Sequence, residues 1–225
     1  TNANIIRDTL VNDGAIFQTT TDSEVILHLI ARSRKENQIE QVKDALSQVE
    51  GAYCLTILAD DKLIAARDPH GYRPLCIGKL NGGYIVTSET CALDINSAEY
   101  IRDVEPGEIV VIDNETIESG KIKSYRLFDY QEKKKHCIFE FIYFSRPDSR
   151  IFEANVDKIR RKLGKVLAKG HPVIDKDGEK VIVISVPDSS NTAAIGYQNQ
   201  LDKMGIPSKL EIGLIRSHYI GRTFI

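Results

Sequence analysis

The stretch from Cys137 to Ser149, CIFEFIYFSRPDS, restricts the fold of this chain more than any other segment. Its first part, Cys137 to Phe144, is almost entirely apolar and rich in aromatic residues, which predicts a strand buried on both faces. Pro147 has no N–H and disfavours helical geometry at Arg146, so the strand must turn there. A buried strand with a polar run on each side indicates a seam between two units, with the turn facing a cleft. An ordinary core strand that ends in a turn would show the same pattern.

The residues before this stretch alternate between helical and strand-like patterns. Helices are predicted where apolar residues recur at helical spacing, and hairpins where two short apolar runs flank a turn sequence. The predicted helices cover residues 1–11, 25–30 and 38–49, and the predicted strands cover 15–18, 53–58, 63–66, 75–78, 84–87 and 109–112. Thr21 and Glu24 have the spacing of a capping box at the second helix. Short antiparallel strands with helices at the front predict an α+β domain up to about residue 130.

The hydrophobic period changes after the central stretch. The sequence predicts a helix over residues 154–168, a continuous apolar strand over 181–186, a helix from 191 and a strand over 212–215. This order is typical of a parallel sheet covered by helices, an α/β arrangement. We therefore predict two domains, residues 1–130 and residues 131–225.

Composition excludes several classes of protein. The 225 residues have a formal net charge of −2 with dispersed lysines and arginines, so there is no basic surface for nucleic acid. No stretch approaches the roughly 18 apolar residues needed to span a bilayer, and no secretory signal is visible, so we expect no membrane partner. The four cysteines are widely spaced without a CxxC pair, which indicates thiols in a reducing compartment, the cytoplasm.

Two polar segments could carry chemistry, and each also has a structural interpretation. Asp22 stands in the first turn of a predicted helix, where the dipole stabilises a carboxylate, but a carboxylate facing a cleft also suits an ammonium group. Pro187 to Asn191 follows a buried strand and opens a helix, so its backbone N–H groups and hydroxyls could hold an anion. Ser190 or Asn191 could instead serve as a plain N-cap.

Five further motifs occur in a fixed order: ARDPHGYRPL at 66–75, SET at 88–90, VEPGE at 104–108, VPDSS at 186–190 and YIGRTFI at 219–225. Together with EFIYFSRPDS they resemble the glutamine phosphoribosylpyrophosphate amidotransferase family. The first motif alone would also fit asparagine synthetase and related glutaminases. The resemblance implies the back of an Ntn-hydrolase-like class II glutaminase domain, residues 1–130, followed by the front of a type I phosphoribosyltransferase domain, residues 131–225, each incomplete.

The resemblance also implies roles for individual residues of the glutaminase part. The aspartate of the matching segment, Asp22 here, holds the α-amino group of glutamine. The segment Arg67 to Arg73 is treated as scaffold, in which an Arg67–Asp68 pair could brace the turn. The nucleophilic cysteine and its oxyanion segment would precede residue 1, so no catalytic residue is expected in this chain. Thr1 is rejected as a substitute nucleophile because its neighbours match the segment that follows the oxyanion motif.

For the second part, the resemblance implies a site for the diphosphate of phosphoribosylpyrophosphate, with Mg²⁺ needed beside the carboxylate of Asp188. The implied binding residues are Asp188, Ser189, Ser190, Asn191, Arg216 and Arg222. The loop of the family commonly reads K-N-R-Y, whereas this chain has Arg216, Ser217, His218 and Tyr219, so charge at the third position depends on protonation of His218. The ribose-binding loop would follow residue 225.

An apolar ammonia channel is implied as well, because a wet path would protonate ammonia before it reached the sugar. Its wall is expected to contain Tyr143, Tyr219, Phe224 and Ile225. Cys137 matches a cysteine that ligates a [4Fe–4S] cluster in part of the family; burial as a small hydrophobic residue is the alternative.

The function implied for the intact protein is hydrolysis of glutamine and transfer of the ammonia to phosphoribosylpyrophosphate, which gives phosphoribosylamine, the first step of purine synthesis. Purine nucleotides are the expected feedback inhibitors, and a homo-oligomer is the expected assembly. This piece alone is expected to be inactive, since both ends look cut from something larger. Two alternatives stay open: an asparagine synthetase-like glutaminase, which would need an ATP-pyrophosphatase SGGxDS loop, and a non-catalytic relative that binds phosphate or nucleotide.

Overall fold

A computed structural model describes residues 1–59, 61–128, 133–173, 179–217 and 219–221 of the chain. By contacts the chain divides into two compact units. The first unit contains Thr1–Ser88 and Asn96–His136, and the second contains Glu89–Ile95 and Cys137–Ile225. Seven residues that lie between two strands of the first unit therefore belong to the second.

The helices of the described residues are α1 (Ala3–Asn12), α2 (Ser23–Arg32), α3 (Gln38–Ser47), α4 (Thr90–Ile95), α5 (Asn114–Ser119), α6 (Val156–Gly170) and α7 (Asn191–Lys203), with a π-helix at Glu140–Phe144. The strands are β1 (Cys54–Leu58), β2 (Lys62–Arg67), β3 (Cys76–Leu80), β4 (Gly83–Thr87), β5 (Glu99–Asp103), β6 (Glu108–Asp113), β7 (Lys123–Arg126), β8 (Arg150–Ile151), β9 (Ala154–Asn155), β10 (Val181–Ile184) and β11 (Ser208–Glu211). No helix among these residues is both long and apolar enough to span a bilayer.

The first unit contains two antiparallel sheets, in the orders β1-β2-β6-β7 and β4-β3-β5. Strand β2 shows how they are layered. Ile64 and Ala66 pack with residues of α2 and α3, whereas Ala65 packs with residues of the second sheet. Because successive side chains of a strand point to opposite faces, β2 is buried on both sides, between helices and a sheet. This unit has the α+β character that its sequence predicts.

Most predicted elements of the first unit are present, with ends shifted by a few residues. The β3–β4 hairpin turns at Asn81 and Gly82, both with positive φ, as the Asn-Gly sequence predicts. Strands β5 and β7 were not predicted, because they carry charged residues and their side chains are mostly exposed. The short strand predicted at 15–18 is wrong. Phe17 instead packs against His28 of α2, with 4.3 Å between ring centroids.

The second unit is built around the close contact of α6 and α7. A Cβ atom on Gly164 would lie 1.9 Å from the carbonyl oxygen of Ala193, and one on Gly196 would lie 2.1 Å from that of Arg161. The two helices can approach this closely only because both positions are glycine. Strands β10 and β11 form a parallel pair. The strand predicted at 212–215 is wrong, since the strand ends at Glu211 and the apolar residues that follow are exposed.

The central prediction, a buried strand from Cys137 to Phe144, is also wrong. The segment contains the π-helix, and five of its six large apolar residues from Ile138 to Phe144 are 43–56% exposed, the partly buried Phe141 being the sixth. Its buried residue is Glu140, whose carboxylate accepts a hydrogen bond from Ser145 Oγ at 2.7 Å. In a helix the backbone N–H and C=O groups form hydrogen bonds within the segment, so they need no neighbouring strand as a partner. The turn predicted after it is present at Pro147 and Asp148.

Candidate functional sites

A cavity of about 260 Å³ lies in the first unit, where the starts of α1, α2 and β1 converge. Asn2 ties two of these segments together. Its side chain donates to the carbonyl of Gln48 at 2.8 Å and accepts from the amide of Glu50 at 2.9 Å. Asp22 and Tyr53 are among the residues that line this cavity.

Asp22 has an unused carboxylate at this cavity. It stands at the N-cap position of α2 but makes no side-chain capping hydrogen bond, and its side chain is exposed. Glu24 organises the preceding loop instead: its carboxylate accepts from Gln18 N at 2.7 Å, Thr19 N at 2.8 Å and Thr19 Oγ1 at 2.6 Å. These hydrogen bonds lower the pKa of Glu24 to about 2, and the bond from the Thr19 hydroxyl has the largest effect. The predicted Thr21–Glu24 capping box is therefore wrong, because Glu24 bonds to residues 18 and 19.

Tyr53 is a second residue of the cavity wall. Its hydroxyl is buried and has no hydrogen-bond partner in the part of the chain that the structure describes. Burial, with the nearby charge of Asp68, raises the pKa of this phenol above its usual range. Sequence reasoning did not select Tyr53, since a tyrosine at the start of a strand resembles any core aromatic residue.

The segment Arg67 to Arg73 is scaffold, consistent with its expected role. The buried guanidinium of Arg67 donates to the carbonyls of Val104 at 2.6 Å, Arg73 at 2.8 Å and Gly71 at 3.1 Å. Asp68 accepts from the amides of His70 and Tyr72 within the same turn. Burial nevertheless raises the pKa of Asp68. These bonds fix the path of the chain between β2 and β3.

In the second unit, the segment Pro187 to Ser190 joins β10 to the start of α7. Neither side chain proposed as a plain N-cap acts as one. Ser190 Oγ donates to the carbonyl of Val186 at 2.5 Å, and Asn191 Oδ1 accepts from Ser185 Oγ at 2.8 Å. The start of α7 therefore has no side-chain cap, which leaves its positive dipole end available to an anion.

Arg216 lies beside this segment and donates to Asp188 Oδ2 at 3.2 Å. Both residues line a cavity of about 240 Å³ together with Ser189, Arg146 and Arg160. Of the residues expected to bind the diphosphate, the structure thus brings together Asp188, Ser189 and Arg216. Arg222, like His218 of the same loop, lies outside the described residues.

A larger cavity of about 700 Å³ lies between the π-helix, α6, β10 and α7 of the second unit, and its wall is mostly apolar. Tyr143 lines it, in keeping with the expected apolar path. Tyr219 is fully exposed and lines none of the cavities described above, and Phe224 and Ile225 lie outside the described residues.

Cys137 is partly buried at the start of the second unit, and no disulfide is present among the described cysteines. Within the described ranges there is no group of three histidine, cysteine or acidic side chains that could hold a metal ion. The described residues do not by themselves fit an iron–sulfur cluster.

Comparison with known proteins shows which enzymes this chain is similar to. A model of the glutamine amidotransferase domain matches residues 1–94. Over 224 residues the chain is 45% identical to the amidophosphoribosyltransferase of Bacillus subtilis, covering 100% of this chain and 44% of that enzyme. It is 41% identical to the enzyme of Methanocaldococcus jannaschii, with 100% of this chain and 48% of the relative covered. The chain is a homologue of the amidophosphoribosyltransferases.

Solved structures agree with this relationship. The glutamine phosphoribosylpyrophosphate amidotransferase of B. subtilis in complex with ADP and GMP superposes with a TM-score of 0.87 at 45% identity, covering all of this chain and 46% of that one. A structure titled as the allosteric regulatory enzyme of purine biosynthesis gives a TM-score of 0.86 at the same identity. The chain thus spans less than half the length of these amidophosphoribosyltransferases.

Proposed function

We propose that the protein containing this chain is a glutamine-dependent amidophosphoribosyltransferase. It hydrolyses glutamine to glutamate and ammonia, and the ammonia displaces pyrophosphate from phosphoribosylpyrophosphate to give phosphoribosylamine. The observation that carries the proposal is the uncommitted Asp22 carboxylate at a cavity, in a segment that matches a glutamine amidotransferase domain.

Asp22 is suited to hold the α-ammonium group of glutamine. Its carboxylate is not used by the helix, so pairing with an ammonium breaks no existing capping bond. Tyr53, whose hydroxyl is buried, lines the same cavity. A cavity of about 260 Å³ is of the size expected for part of a small-molecule site.

The diphosphate of phosphoribosylpyrophosphate would bind at the segment Asp188 to Asn191. The uncapped start of α7 favours negative charge, and the guanidinium of Arg216 can move from Asp188 to a phosphate oxygen. Mg²⁺ is commonly held by one or two carboxylates together with substrate phosphates, so Asp188 fits such an ion, which would neutralise the diphosphate. We assign Arg222 to the same site from its position in the loop.

The apolar cavity lined by Tyr143 suits the passage of ammonia between the two reactions. Ammonia must stay unprotonated to attack the sugar, and an apolar wall keeps proton donors away. Tyr219, Phe224 and Ile225 are proposed to complete this wall when the loop that contains them closes.

On this proposal, the second unit is the front of a type I phosphoribosyltransferase domain, and the first unit is part of a class II glutaminase domain. The parallel β10–β11 pair, with α7 packed against it, supports the former assignment. Purine nucleotides are proposed as feedback inhibitors, because the similar B. subtilis structure was determined with ADP and GMP. A homo-oligomeric assembly and a cytoplasmic location remain predictions.

The test is a set of turnover assays on the full-length protein with glutamine and phosphoribosylpyrophosphate. We expect one pyrophosphate and one glutamate for each phosphoribosylamine, without ATP. A requirement for ATP with release of AMP would instead support the asparagine synthetase-like alternative. Binding of phosphoribosylpyrophosphate without any turnover would support the non-catalytic relative.

A further inference from the structure

The turn from Ser145 to Ser149 of the second unit is held on its N–H side by a carboxylate. Glu89 Oε2 accepts from the backbone amide of Arg146 at 2.7 Å and from Ser149 Oγ at 2.8 Å. Glu89 belongs to the short SET motif, to which no role was assigned above. The motif thus supplies an acceptor for two donors of one turn, about 60 residues further along the chain.

On its carbonyl side the same turn is held by a buried cation. Arg160 of α6 is only 2% exposed. Its Nε donates to the carbonyl of Phe141 at 2.5 Å, and its Nη2 donates to the carbonyl of Ser145 at 2.7 Å. A planar guanidinium can donate in two fixed directions at once, so Arg160 joins the π-helix to the start of the turn.

Charge pairing does not account for the position of Arg160. The carboxylates of Glu89 and Asp157 act on its charge without forming an ion pair with it among the described residues, and burial lowers its pKa. Burying a cation without a close counter-ion is costly. The two hydrogen bonds to the carbonyls of Phe141 and Ser145 offset this cost. They also fix the geometry of the segment that contains these carbonyls.

The turn that these two residues hold forms part of a cavity wall. Arg146 and Pro147 line the cavity of about 240 Å³ that also contacts Asp188, Ser189 and Arg216. The Arg146 guanidinium makes two hydrogen bonds to Asp148, at 3.1 and 2.7 Å, and is about half exposed. It is therefore a half-exposed cation, paired with Asp148, on a backbone held by Glu89, at the same cavity as the segment proposed for the diphosphate.

We infer that Arg160 and Glu89 are positioning residues for the phosphoribosyl substrate. Together they fix the turn that carries Arg146 at the cavity shared with Asp188 and Ser189, and through the position of this turn they set the affinity for phosphoribosylpyrophosphate. The inference rests on the proposed function, because it assigns the ligand of this cavity.

The experiment uses the full-length enzyme with Arg160→Lys or Glu89→Gln. Lysine keeps the charge but cannot reproduce the two directions of the guanidinium, and glutamine keeps the size but loses the charge that holds two donors. We expect the KM for phosphoribosylpyrophosphate, measured with free ammonia, to rise roughly tenfold or more in each variant. Glutamine hydrolysis at saturating phosphoribosylpyrophosphate should change by less than about twofold.

Arg161→Lys is the matched control. Arg161 is the next residue of α6, and its guanidinium pairs with Asp157 on a more exposed face, so its KM should equal that of the wild type. An unchanged KM in both test variants would overturn the inference. A parallel loss of glutamine hydrolysis and synthesis would also overturn it, since the residues would then support only the fold. If the wild type releases no pyrophosphate, the proposed function itself fails, which is a separate result.

Discussion

Replacing Asp22 by asparagine separates a binding role from a capping role more sharply than any other single change in this chain. Asparagine stabilises helix starts about as well as aspartate, so the fold should not suffer. The structure strengthens this expectation, because the Asp22 side chain makes no capping hydrogen bond that could be lost. The substitution removes only the negative charge at the cavity wall.

The size of the effect follows from the position of Asp22. A hydrogen bond to a charged group contributes about 1.5–3 kcal/mol, and the exposure of Asp22 at the cavity wall reduces this through solvent screening. We take about 2 kcal/mol, which corresponds to a rise of roughly 30-fold in the KM for glutamine. Synthesis with free ammonia should be unchanged, because ammonia bypasses the glutamine site.

The assay compares glutamine-dependent and ammonia-dependent release of pyrophosphate by the full-length enzyme. Asp8→Asn is the matched control, because Asp8 is an exposed carboxylate on α1 of the same unit and does not line the cavity. The reasoning is refuted if Asp22→Asn leaves the KM for glutamine unchanged, which would make Asp22 a plain helix-start residue. Equal loss of both activities would also refute it, since Asp22 would then support the fold.

Three further predictions concern stability. The pKa of Glu24 is lowered to about 2, so its contribution to the stability of the folded state is complete above pH about 4.5 and is lost as the pH falls towards 2. In Glu24→Gln the thermal midpoint, measured by circular dichroism, should therefore fall less steeply between pH about 4.5 and 2 than in the wild type. An identical fall in both proteins would contradict this. Gly164→Ala would place a methyl group 1.9 Å from the Ala193 carbonyl and should destabilise the protein in urea by about 1–3 kcal/mol, whereas Gly170→Ala, with open space around it, should be neutral; equal effects would contradict the close helix contact. Arg67→Met leaves three buried carbonyls without this donor and should cost at least about 3 kcal/mol in the same assay, so a loss below 1 kcal/mol would argue against the scaffold role.

The first unit could largely be predicted from the sequence because its elements obey local rules. The Asn81–Gly82 turn requires positive φ, which these residues adopt readily, and the buried β2 has a continuous apolar pattern. The edge strands β5 and β7 escaped prediction because their mostly exposed side chains show no alternation of apolar and polar residues. The sequence identifies Asp22 as a candidate binding residue. It does not show that the Asp22 side chain makes no capping hydrogen bond, because the spacing of residues does not reveal that Glu24 bonds to the preceding loop.

The π-helix shows where sequence patterns fail. Aromatic and apolar residues from Cys137 to Phe144 favour a strand, yet the backbone is held by Arg160, which lies about 20 residues away in sequence. Arg160 belongs to α6, and an arginine would be expected at the surface of a helix from its residue type. A side chain that is buried because it bonds to carbonyls far away in sequence has no local sequence signal. Neither the π-helix nor the buried position of Arg160 could therefore be predicted from the sequence.

The most direct test of the proposed function is an isotope experiment on the full-length enzyme. Glutamine labelled with ¹⁵N in its side-chain amide is supplied with phosphoribosylpyrophosphate in the absence of added ammonium, and the phosphoribosylamine formed is analysed by mass spectrometry. We predict that the product carries the ¹⁵N label, with pyrophosphate and glutamate released in equal amounts. Product without the label, or glutamine hydrolysis without any release of pyrophosphate, would contradict the account.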